Sequence, residues 1–177
     1  MNGGALEEQQ VLEALNSGLE LESAGLKFYS NASEEVTDPR GRQTLRYLAD
    51  EEKKHLKFIK ELKSSFEKNK EPGVKGIVEA LKTAHDTKVF PPLEKFMGEI
   101  KSATGDKRIL EEAEGVEKRS IAFYKDTAKE IKNKDYKEVF NVLIREEEGH
   151  LMLVWQMADY MVLHGVWTGL EDYFANE

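Results

Sequence analysis

The string Glu-Glu-x-x-His-Leu occurs twice, at Glu51–Leu56 and at Glu146–Leu151, each time inside a stretch with helical periodicity. Apolar residues recurring in steps of three and four form one inward stripe of a helix. The second glutamate and the histidine of each copy fall on that stripe, so the fold must bury two acids and two imidazoles. One stripe is Leu45, Leu48, Glu52, His55, Ile59 and Leu62; the other is Phe140, Leu143, Glu147, His150, Val154, Met157 and Met161. Two more stripes carry one glutamate each. They are Leu12, Leu15, Leu19, Glu22, Leu26 and Tyr29, and Leu110, Ala113, Glu117, Ser120, Tyr124, Thr127 and Ile131. Four such helices, each roughly 25–30 residues long, imply a four-helix bundle.

The halves repeat at a constant offset of 95 residues. Glu22-Ser-Ala-Gly-Leu-Lys-Phe-Tyr29 matches Glu117-Lys-Arg-Ser-Ile-Ala-Phe-Tyr124, and Glu52 with His55 matches Glu147 with His150. Two different motifs sharing one offset point to an internal duplication. The breaks fit two antiparallel hairpins. Val36 to Gly41 is a turn, with Asp38 as N-cap and Pro39 at the first helical position, and Lys132 to Asp135 makes the second. The expected organisation is one domain over 1–177, with hairpins at 5–68 and 108–164. A long crossover, 69–107, joins them, and a C-terminal tail, 165–177, folds back over one end. The crossover carries Pro72-Gly73, Pro91-Pro92 and two short amphipathic pieces, Ile77–Ala84 and Leu93–Ile100.

Turn geometry decides whether the buried acids meet. Glu22 and Glu52 are equally far from Thr37, which places both about 22 Å from the turn at ~1.5 Å per residue. Glu117 and Glu147 are likewise symmetric about Lys132. Each hairpin therefore sets a single glutamate opposite a Glu-x-x-His pair, whose side chains share one side of their helix. A pseudo-two-fold axis would gather four carboxylates and two imidazoles. Glutamates in a charged chain usually sit on solvated faces, and Glu51, Glu146 and Glu148 are read that way. Glu22, Glu52, Glu117 and Glu147 are not, because burying unpaired carboxylates is costly and no Lys or Arg occupies a stripe position. Two divalent cations would cancel four negative charges.

In this constellation the chain resembles the ferritin-like di-iron carboxylate proteins, with a Glu from each of two helices and a Glu-x-x-His from each of the others. Within them it looks like rubrerythrin, by the Tyr two turns beyond the first ligand Glu and by Glu-Glu-x-x-His on the second and fourth helices. The resemblance spans Leu6 to about Leu163. It implies an all-α, ferritin-like four-helix bundle holding two iron ions, with Glu22 and Glu117 as terminal ligands and Glu52 and Glu147 bridging. His55 and His150 would each bind one metal, and Tyr29 and Tyr124 would hydrogen-bond the ligands. Two features depart from the family pattern. The 177 residues contain no cysteine, so the four-cysteine rubredoxin unit that often supplies electrons is not among them. Ser120 stands where many rubrerythrins carry an additional glutamate ligand, a place for which Glu114 is a candidate substitute.

The resemblance implies an oxidoreductase that reduces hydrogen peroxide, or dioxygen, with electrons from an external donor such as a rubredoxin-like protein. It would work as a homodimer or larger homo-oligomer. Two alternatives stand beside it: an iron-binding ferroxidase that handles or stores iron, and a structural bundle, since Glu and His ligands also accept manganese and zinc. A net charge of −8 disfavours nucleic acid and anionic membrane surfaces as partners. No run of 18 apolar residues and no signal-peptide pattern occurs, so a cytoplasmic address is expected. His164 is read as a helix C-terminal histidine, His85 as an ordinary surface or packing residue, and Met152, Met157 and Met161 as core filler.

Overall fold

The computed structural model describes residues 3–67 and 104–168. They form four α-helices: α1 (Gly3–Glu35), α2 (Pro39–Glu67), α3 (Thr104–Glu130) and α4 (Lys134–His164). α1 packs along α2, α3 along α4, and the two hairpins meet through α1 and α3. The expected all-α four-helix bundle is present. The crossover pieces Ile77–Ala84 and Leu93–Ile100, His85 and the tail beyond 168 lie outside the described residues.

Local chemistry sets the helix ends. Asp38 caps α2: its Oδ1 accepts from Arg40 N at 2.9 Å, and Pro39 opens the helix where no donor is needed. Asn133 Oδ1 accepts from Asp135 N and Tyr136 N and so caps α4. α4 stops at Gly165, whose φ of 74° is left-handed and whose N–H bonds to Met161 O at 2.8 Å. His164 is the last helical residue, its ring 4.5 Å from that of Tyr160. α3 begins at Thr104, so residues 104–107 belong to the helix and not to the connection. Asp106 in its first turn suits the positive helix start and accepts a 2.8 Å hydrogen bond from Trp167 Nε1.

α1 and α3 run in opposite directions. Glu7 near the start of α1 accepts from Lys132 N at 2.5 Å and Asn133 N at 2.6 Å, just past the end of α3. The core divides into two apolar clusters, one at each end of the bundle. Tyr29, Val36, Leu45, Leu48, Leu110, Val154, Met157 and Trp167 belong to the first; Val11, Leu15, Ile59, Leu62, Tyr124, Phe140 and Leu143 belong to the second. Val166, Trp167 and Thr168 are buried, so the start of the tail does fold over the first end.

Three sequence expectations are corrected by burial. The inward positions of α1 are Val11, Leu15, Gly18, Glu22, Gly25 and Tyr29, while Leu12, Leu19 and Leu26 lie at the edge of the stripe. Glycine has no side chain to mark the inward face, so the neighbouring leucines carried the apparent phase. Glu51 is buried instead of solvated, because α2 packs it inward with Lys54 Nζ 2.7 Å from its carboxylate. Met152 is not core filler; it lies on the outer face of α4, 48% exposed, whereas Met157 and Met161 are buried. No described helix is long and apolar enough to cross a membrane.

Candidate metal centre

Each helix delivers its acid to the level between the two apolar clusters, and the six residues anticipated from the duplication meet there. Glu22 comes from α1, Glu52 and His55 from α2, Glu117 from α3, and Glu147 and His150 from α4. All six are at most 6% exposed. Glu22, Glu52, His55 and Glu147 offer ligand atoms lying within 4.8 Å of one another, and so do Glu52, Glu117, Glu147 and His150. The two foursomes share Glu52 and Glu147. Each adds one private glutamate and one private histidine.

The histidines present Nδ1 to the carboxylates. His55 Nδ1 bonds Glu22 Oε2 at 3.0 Å and lies 3.1 Å from Glu147 Oε1. His150 Nδ1 lies 3.3 Å from Glu147 Oε2 and 3.8 Å from Glu117 Oε2. The rings stack 5.2 Å apart with an interplanar angle of 19°. The tyrosines bind across the hairpins. Tyr29 of the first donates its hydroxyl proton to Glu117 Oε1 of the second, and Tyr124 of the second donates to Glu22 Oε1 of the first.

Burial dominates the electrostatics. It pushes the Glu52 carboxyl up to about 12, helped by its hydrogen bond to Glu22 and the charge of Glu147. Burial also raises Glu147, where Glu22 adds to it, and Glu117 rises well above the ordinary range through burial and Glu147. Burial opposes ionisation of Glu22 too, yet the charge and hydrogen bond of His55 hold it at about 2. His55 in turn is raised against its burial by Glu147 and Glu22, while burial lowers His150. Without a cation, Glu22 and His55 form a buried ion pair, and burial favours the neutral form of Glu52, Glu117 and Glu147.

The donor set fits divalent metal ions. Glu117 Oε2, both Glu147 oxygens and His150 Nδ1 are buried without a hydrogen-bond partner. His55 Nε2, on the far edge of its ring, is also without one. Orphaned buried acceptors are costly, and cations at the cluster would satisfy those that face it. Carboxylate and imidazole together suit iron, manganese or zinc.

The rubrerythrin family model matches residues 13–158. The chain belongs to the rubrerythrin family. No curated protein and no solved structure matches it. The match spans all six cluster residues and both tyrosines. Of the two places tied to the family's additional carboxylate, Ser120 is buried on α3. Glu114 turns outward, accepting from Trp155 Nε1 at 2.8 Å with Lys118 Nζ at 2.5 Å.

Two features near this cluster lie outside what the apolar stripes indicate. Gly18 and Gly25 face inward on α1; an added Cβ would lie 3.2 Å from Tyr124 Oη at Gly18 and 2.9 Å from the Glu52 carboxyl at Gly25. The available signal was a glycine in mid-helix with a helical spacing to Glu22. The burial of Glu51 left no signal, since its neighbours Asp50, Lys53 and Lys54 are all charged.

Proposed function

We propose that the chain is a non-haem di-iron oxidoreductase that reduces hydrogen peroxide. The observation that supports this most is the pair of foursomes sharing Glu52 and Glu147, since two shared carboxylates hold two ions side by side. Glu22 and His55 would complete one metal position, Glu117 and His150 the other. Two iron ions so held would supply two electrons together, which is what hydrogen peroxide needs to become two waters with two protons.

The protein's own part is orientation and exclusion. Tyr29 and Tyr124 fix the carboxylates of Glu117 and Glu22 by donating to one oxygen of each; the other oxygen of Glu117 has no hydrogen-bond partner, and that of Glu22 meets His55 Nδ1. Burial, with the adjacent carboxylates, raises both tyrosines well above their ordinary value, so they remain protonated donors at neutral pH. The apolar clusters at either end keep bulk water from the acids. The electrons would come from an external donor such as a rubredoxin-like protein, because these residues include no cysteine for a second redox site.

Stopped-flow oxidation of the anaerobically reduced protein by each oxidant tests the assignment. Hydrogen peroxide should oxidise the reduced centre faster than dioxygen, because two electrons complete the reduction of peroxide whereas dioxygen needs four. Faster oxidation by dioxygen, with ferric ion accumulating beyond two per chain on adding ferrous ion, would make the protein an iron-handling ferroxidase instead.

A further inference from the structure

Gly25 lies inside α1, three residues after Glu22, on the side that meets α2. A Cβ built on it would lie 2.9 Å from Glu52 Cδ, 2.9 Å from Oε1 and 3.1 Å from Oε2. Those distances are well inside ordinary van der Waals contact, and all three atoms belong to one carboxyl group. Backbone geometry does not demand glycine there: among the described residues the positive-φ glycine is Gly165. Glycine also weakens a helix interior relative to alanine. What position 25 requires is the empty volume.

We propose that Gly25 is a positioning residue for Glu52, holding open the space in which that carboxylate must lie to serve both metal positions. The inference rests on reading the cluster as a two-metal centre. Glu52 belongs to both foursomes, whereas Glu22 and His55 belong to one. A displaced Glu52 therefore affects both ions. The carboxyl is the far end of a flexible side chain, so an added methyl would push it aside without breaking the packing of α1 on α2. The consequence falls on the ligand geometry and spares the bundle.

Anaerobic titration with ferrous ion, with melting of the metal-free protein alongside, tests this on wild type, Gly25→Ala and Gly149→Ala. Gly149 is the control, because a Cβ there meets nothing within 4 Å. Gly25→Ala should melt, metal-free, at or above wild type and bind both ions about 10–100-fold more weakly, the scale of disturbed ligand support. Gly149→Ala should gain stability and keep wild-type affinity. In a Glu52→Asp background the shorter acid clears the methyl, so Gly25→Ala should cost less affinity than in wild type. Undiminished affinity in Gly25→Ala, weakening of one ion alone, or a metal-free stability loss matching the loss with metal bound would each overturn the inference. A wild-type protein that binds no ferrous ion would instead overturn the two-metal reading on which it rests.

Discussion

Tyr124 and Glu22 stand 102 residues apart in the chain and meet in one hydrogen bond. Its mirror joins Tyr29 to Glu117, so each half of the duplication supports a ligand belonging to the other. Tyr124→Phe removes a donor from a fully buried carboxylate. Leaving such a group short of a partner costs about 1–3 kcal/mol, and loss of support should weaken metal binding about 10–100-fold. Chemical denaturation and metal titration of Tyr124→Phe check both. Unchanged stability and affinity would show that the cross-pairing supports nothing. The six acids and imidazoles were legible because their helical phase placed charge on apolar stripes. The crossed pairing was not, since sequence spacing sets each tyrosine beside the glutamate of its own helix. Only the opposed directions of α1 and α3 bring it to the other.

Among the helices, α1 shows what periodicity leaves hidden. Its inward face passes through Gly18 and Gly25, and a stripe traced by apolar side chains slides to Leu12, Leu19 and Leu26. Glycine recurs where α2 meets the tail: a Cβ on Gly41 would lie 2.3 Å from Trp167 Cδ2. The indole is buried and rigid, so Gly41→Ala should cost about 1–3 kcal/mol by overpacking. Denaturant unfolding measures it, and a neutral substitution would mean that Trp167 does not rest on α2. At the start of the same helix, Asp38→Ala should cost about 0.5–2 kcal/mol at pH 7. Burial opposes the Asp38 charge, but its bonds to Arg40 and the Gly41 N–H together outweigh it and hold its carboxyl below the ordinary 3.8. A depressed carboxylate contributes its stability above the unfolded value and loses it as pH falls through the folded one. The gap between wild type and Asp38→Ala should therefore be constant near neutrality and narrow as pH falls below about 3.8. A gap unchanged down to pH 2 would rule out the charged cap.

At the scale of the molecule, bundle and centre are coupled through charge. In the metal-free protein Glu52, Glu117 and Glu147 are all raised above the ordinary 4.5, so the folded chain holds protons there more tightly than the unfolded chain, which has released most of them by pH 5. His55, also raised, acts in the same sense; His150, lowered, opposes it, and the change at Glu22 falls below that pH. The folded form thus binds more protons, so metal-free stability should rise as pH falls from 7 to 5. With metal bound, protons compete for the ligands and stability should fall over the same range. Melting curves of both forms across that range decide it; parallel trends would contradict the coupling. The overall bundle was visible in the sequence because four stripes and two turns agree with one another. The central claim is that four carboxylates and two imidazoles hold two ions, and metal analysis of protein purified without oxygen tests it most directly. The account predicts two ions per chain in the wild type and none when Glu52→Ala and Glu147→Ala are combined, since each position loses both shared ligands. A wild type without bound metal, or a double variant retaining two tightly held ions, would contradict it.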